Sequence, residues 1–186
     1  MKKIYFITGN KGKVREAQKK LEKLGLEVIQ KDLGYPEIQA EKLEEVADFG
    51  VEHISKTFDE PFILEDAGLF VNSLKGFPGV YSAFVFYTLG CEGILKLLES
   101  EEDRDAVFRS VYAFKKPGGE TRLFVGECLG CISRRMRGDE GFGYDPIFVP
   151  DGSDKTFGEM KTGEKNSFSH RGKSLDKLID FLGREL

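Results

Sequence analysis

The sequence predicts an α/β fold built on a mixed sheet with flanking helices, and three observations carry that prediction. Amphipathic helical stripes alternate with short apolar runs along the first third of the chain. Two long alternating runs joined by a Pro-Gly-Gly turn follow, the pattern of a hairpin. A last helical stripe closes the sequence. Early strand–helix units favour parallel neighbours and a hairpin demands antiparallel ones, so the sheet must contain both.

The first apolar run, Ile4 to Ile7, reads as a strand that delivers the chain into Thr8-Gly9-Asn10. Val14, Ala17, Leu21 and Leu24 then form one stripe that ends at Gly25, a natural helix stop. Leu43, Val46, Ala47, Val51 and Ile54 form a second. "PFILED", residues 61–66, reads as a buried strand ending in two acids, and residues 106–133 read as the hairpin. An apolar strand follows "GDEGFGYDP", and Leu175, Leu178, Ile179 and Leu182 mark the last helix. No internal repeat, low-complexity segment or Ser/Pro-rich linker interrupts this layout, so 1–186 is expected to be a single domain.

Composition narrows the function classes. With 186 residues, 40% of them apolar, the chain can bury a sizeable core. A formal charge of −4 argues against a broad nucleic-acid surface, because phosphate backbones are held mainly by Lys and Arg. No stretch approaches the roughly 18 apolar residues of a membrane span, and the apolar run after Met-Lys-Lys is too short for a signal-peptide core. A cytoplasmic protein is expected. Cys91, Cys128 and Cys131 do not make a disulfide framework. Cys128 and Cys131 lie in a strand pattern, where residues three apart are about 10 Å apart on opposite faces. His53 and His170 are too distant in sequence to suggest a zinc site with them.

Four segments carry chemistry. At "TGNKGK" a strand ends, two glycines allow a tight turn, and a helix begins; its unpaired N–H groups and the charges of Lys11 and Lys13 suit a phosphate. The spacing is not that of a P-loop, because Val14 stands where a hydroxyl would bind magnesium. At "PFILEDAGL" two adjacent acids, Glu65 and Asp66, close a buried strand, where solvent, a cation or a metal must compensate them. Glu37, after a Tyr-Pro turn, is an acid ahead of the second helix, a common capping position. "GDEGFGYDPIFVP" offers either a ring face for a planar base or aromatics turned into the core. In "GEKNSFSHRGKS", Lys165, His170, Arg171 and Lys173 gather just before the last helix, where cations oppose the helix dipole unless something electron-rich is held there.

With "GFPGVYSA", these segments resemble, in order and over nearly the whole chain, the inosine triphosphate pyrophosphatase family, which hydrolyses non-standard purine nucleoside triphosphates. The resemblance implies a long bent mixed sheet with two lobes enclosing an active-site cleft, in a homodimer that requires Mg2+. Carried over by position, it implies that Thr8, Gly9, Asn10, Lys11, Gly12 and Lys13 hold the triphosphate. Glu37 and Asp66 would bind magnesium, with Asp66 also the proton acceptor and Ala67 a backbone contact to substrate. Phe142, Gly143, Tyr144 and Asp145 would line the nucleoside pocket, with Phe142 stacking on the base. Lys165, His170 and Arg171 would read the base edge. Three positions depart from the pattern: Ala67 replaces a common Ser or Thr, Phe84 a common bacterial Arg, and Gly50 stands where many relatives place a Lys, Lys56 being the nearest cation. The expected activity is conversion of ITP, dITP or XTP to the monophosphate and pyrophosphate. The alternatives are a pyrophosphatase for other modified or pyrimidine nucleotides and a non-catalytic nucleotide sensor.

Overall fold

The structure, a computed structural model, describes residues 2–36 and 38–185. Its elements run β1 (Lys2–Ile7), α1 (Lys11–Leu21), β2 (Leu26–Lys31), α2 (Leu43–Ser55), β3 (Phe62–Val71), α3 (Ser82–Thr88) and α4 (Gly90–Leu97). They continue with β4 (Asp105–Lys115), β5 (Arg122–Ile132), β6 (Phe148–Pro150), α5 (Thr162–Phe168) and α6 (His170–Glu185). The strands form one sheet in the order β2-β1-β3-β4-β5-β6. β1 pairs in parallel with β2 and β3, whereas β5 and β6 are antiparallel, so the sheet is mixed as the sequence predicts.

The chain divides into two compact units, each with its own core. The first comprises Met1–Asp66, Ser110–Val125 and Lys173–Leu186. Here the apolar sides of the first and last helices pack with β1, β2 and β4: Ala17, Leu21, Leu175, Leu178 and Leu182 join Ile4, Phe6, Val28 and Tyr112. The stripes read from the sequence turn inward as the 3.6-residue period requires, with Val14, Leu24 and Ile179 at their partly buried margins. α1 ends at Leu21, a 3-10 turn follows, and Gly25 takes a left-handed conformation with φ of 67°.

The second unit comprises Ala67–Arg109 and Gly126–Gly172. Its core gathers Leu69, Val71, Ile94, Phe108, Ile147, Phe148 and Phe157. β3 enters it through Gly68, where a Cβ would lie 2.3 Å from the Gly79 carbonyl oxygen; only glycine allows that approach. The Ser82 hydroxyl bridges the same region, accepting from Leu69 N at 2.8 Å and donating to the Gly79 carbonyl at 2.6 Å.

Two placements differ from the sequence reading. β3 does not end at Glu65-Asp66 but continues to Val71, because Gly68, Leu69 and Val71 resume the buried pattern after the acids. Lys165 and the His170–Arg171 pair lie not in a loop but in α5 and in the first turn of α6. β2, α3 and α4 were not anticipated; the Phe, Tyr and Gly residues around 82–93 blur a helical stripe, and a six-residue strand directly after a helix stop gives little periodicity. No single helix among the described residues is long and apolar enough to cross a membrane. The three cysteines are free thiols, and burial pushes that of Cys91 up to about 11, leaving it protonated and unreactive near neutral pH.

Candidate active site

In the first unit the turn after β1 builds a capped helix start. Asn10 is the N-cap of α1, with extended backbone, and its side-chain oxygen accepts the amides of Gly12 at 2.8 Å and Lys13 at 3.2 Å. Thr8 Oγ1 in turn accepts from Asn10 N at 3.1 Å. The amides of Gly12 and Lys13 thus already have acceptors within the turn and are not the unpaired N–H groups that the sequence led us to expect at this helix start. The Lys11 residue is exposed, as are Gly9, Asn10 and Gly12. Lys13 is tethered: its Nζ is 2.6 Å from Glu65 Oε2 and donates to the Glu65 carbonyl oxygen at 3.1 Å.

Glu65 and Asp66 therefore have different roles. Successive strand residues face opposite ways. Glu65 is buried, its carboxylate compensated by Lys13 and by the Ser110 hydroxyl, which donates to Oε1 at 2.7 Å. Asp66 is half-buried, as is Ala67. Asp66 is the acid of the pair that suits a ligand. Glu37 lies outside the described residues. Among the described residues no three or more His, Cys, Asp or Glu side chains are grouped to hold a metal ion. The donor chemistry still fits magnesium, which takes oxygen ligands from one or two carboxylates and completes its shell with water and substrate phosphates.

In the second unit two of the three base-reading candidates, Lys165 and Arg171, converge on one ring, whereas His170 does not. Phe142 is 58% exposed, and Lys165 Nζ and Arg171 Cζ each lie 5.4 Å from its ring centroid. Lys165 also lies 5.2 Å from the Phe157 ring. The Lys165 ammonium pairs with Asp145 Oδ2 at 2.6 Å, and the same oxygen accepts the Phe142 amide at 2.8 Å. Asp145 thus links platform and cation. Gly141, at φ of 79°, permits this, since a Cβ would fall 2.0 Å from Asp145 Oδ2. Gly143 follows at φ of 64°, its carbonyl accepting from the Cys91 thiol at 3.4 Å. His170 is buried and stacks on Phe108 with ring centroids 4.7 Å apart and planes 8° apart. Arg171 is buried too.

The two aromatics of the Gly-rich turn part company. Phe142 turns outward, whereas Tyr144 is buried, donates its hydroxyl to the Ser82 carbonyl at 3.0 Å and meets Phe86 edge-on. Burial raises the Tyr144 phenol above its ordinary value, so it stays neutral. Sequence reasoning missed Ser110, Phe108 and Phe157 as supports. Ser110 carried a weak signal, a small hydroxyl residue inside an otherwise largely apolar strand.

The Ham1 family profile matches residues 4–181. The chain belongs to the Ham1 family. A dITP/XTP pyrophosphatase of Pyrococcus horikoshii is 55% identical over 180 residues, covering 97% of this chain and 96% of that protein. One of Thermococcus kodakarensis is 52% identical over 184 residues, covering 99% of each. The Ham1 protein of Staphylococcus aureus superposes with a TM-score of 0.90 at 31% identity over the full length of both chains. That of Coxiella burnetii gives 0.89 at 30% identity, over 99% of this Ham1 chain and all of the other. The family read from the five sequence motifs is therefore the right one.

The Asp145–Lys165 pair gives a stability prediction. The side chains are 4% and 16% exposed, so removing one partner strands a charge. Asp145→Ala should lower the urea-unfolding free energy by about 3 kcal/mol, and adding Lys165→Met should recover part of that loss. A single-variant loss below about 0.5 kcal/mol would show that the pair is solvated.

Proposed function

We propose that this chain hydrolyses the non-standard purine nucleoside triphosphates ITP, dITP and XTP to the monophosphate and pyrophosphate. One observation carries the reading: an exposed aromatic face flanked by two side chains that can only donate hydrogen bonds. The relatives named dITP/XTP pyrophosphatase support it. Hypoxanthine and xanthine present an oxygen at purine position six, which accepts; adenine presents an amino group, which donates. Lys165 and Arg171 satisfy the first and leave the second facing unmatched donors. In a dry site such a mismatch gives discrimination on the order of 10⁴.

The first unit supplies the phosphate chemistry. Lys13, with two of its three N–H groups directed at Glu65, retains one for a phosphate oxygen; Lys11 adds a second charge. Asp66 orients and deprotonates the water that attacks phosphorus, the bond between α- and β-phosphate breaks, and pyrophosphate carries away the released charge. Magnesium, when bound through Asp66 and Glu37, would neutralise phosphate charge and hold Asp66 ionised. The protein is further proposed to act in the cytoplasm, where its free thiols remain reduced, and as a homodimer. Phe84, Tyr87 and Leu89, 66%, 85% and 50% exposed, supply an apolar face suited to a second copy.

A panel of nucleotides with magnesium, read out as monophosphate and pyrophosphate, tests the reading. ITP, dITP and XTP should exceed GTP and ATP in kcat/KM, with little distinction between ribose and deoxyribose. Preference for a pyrimidine or methylated nucleotide would reassign the substrate, and binding without turnover would make the chain a sensor.

The metal and the acid are tested separately. EDTA should abolish turnover by the wild type. Asp66→Asn should lower kcat on the order of 10²-fold or more while leaving KM within a few-fold, because shape is kept and charge removed. Full activity in EDTA, or an unaffected Asp66→Asn, would overturn the mechanism.

A further inference from the structure

We infer that Ser110 and Ser174 are positioning residues for the phosphate-binding lysine and act on it through Glu65; this rests on the reading that Lys13 meets the triphosphate. Ser110 lies in β4 and Ser174 in the second turn of α6, both with no exposed surface. Ser174 Oγ donates to Ser110 Oγ at 3.0 Å, and Ser110 Oγ donates to Glu65 Oε1 at 2.7 Å. Glu65 Oε2 lies 2.6 Å from Lys13 Nζ. All four residues belong to the first compact unit.

The chain has one direction. A hydroxyl carries a single proton, and a carboxylate can only accept. Were the Ser110 proton turned toward Ser174, the Ser110 lone pairs would face Glu65 Oε1 across 2.7 Å. Ser174, by donating into the Ser110 oxygen, holds the Ser110 proton on Glu65, and each bond polarises the next. The end torsion of a glutamate is otherwise broad. With Oε1 pinned, Oε2 cannot turn away from Lys13. The lysine stem has four carbons and no preferred target of its own. Its ammonium is thereby placed before substrate arrives, which favours the transition state, where phosphate charge grows, over loose ground-state attraction.

The signature is coupling to Lys13. Ser110→Ala should lower kcat/KM for ITP roughly tenfold, mostly in kcat, the scale of one lost hydrogen bond to a charged group. Affinity for IMP, measured calorimetrically, should stay within about twofold. In a Lys13→Ala background the same change should alter kcat/KM by less than about twofold, because the group it acts through is gone. An equal loss in both backgrounds, or no loss in either, would overturn the relay. Should Ser110→Ala accumulate unfolded, Ser174→Ala carries the same measurements, with a smaller loss in the same direction. Wild-type turnover of ITP in the same assay separates the two claims: its absence removes the functional reading, whereas wild-type turnover without coupling removes only the relay.

Discussion

A carboxylate buried in a strand interior constrains everything around it. The Glu65 side chain has no exposed surface, and an ion so placed is costly unless it is paired and hydrogen-bonded. Here the compensation comes from Lys13 on α1 and Ser110 on β4. The strand holding Glu65 thus fixes the lysine at the helix start, and removing either partner of such a pair typically costs roughly 3–5 kcal/mol. Asp66, the next residue, faces the other way and remains half-buried. One dipeptide supplies both a structural anchor and the acid proposed to act on water.

The group proposed to read the base follows the same logic at a second carboxylate. Asp145 is almost wholly buried, and its Oδ2 is used twice, by the Lys165 ammonium and by the Phe142 amide. Asp145 therefore holds both the Phe142 backbone and the Lys165 ammonium beside that ring.

Much of this was legible in the sequence because it depends on local pattern. The stripes at Ala17–Leu21, Leu43–Ile54 and Leu175–Leu182 are period-3.6 signals, and their residues are buried apart from a partly exposed Ile179. The helix start after Thr8-Gly9-Asn10 was legible too, although Asn10's part as its cap was not. What escaped depends on contacts distant in sequence. Nothing near Glu65 indicates that Lys13, 52 residues away, will neutralise it, or that Ser110, 45 residues on, will hold its other oxygen. Tyr144 and Phe142 are equally aromatic neighbours of glycine, and only the packing of Tyr144 under Ser82 and Phe86 decides which one faces outward.

The proposed division of labour has Lys13 meeting phosphate and Arg171 reading the base. The direct measurement is the ratio of kcat/KM for ITP to that for ATP in wild type, Lys13→Ala and Arg171→Ala. Lys13→Ala should depress both nucleotides and leave the ratio within about threefold of wild type, while Arg171→Ala should collapse it by on the order of 10²-fold. A ratio that falls equally in both variants, or in neither, would contradict the account.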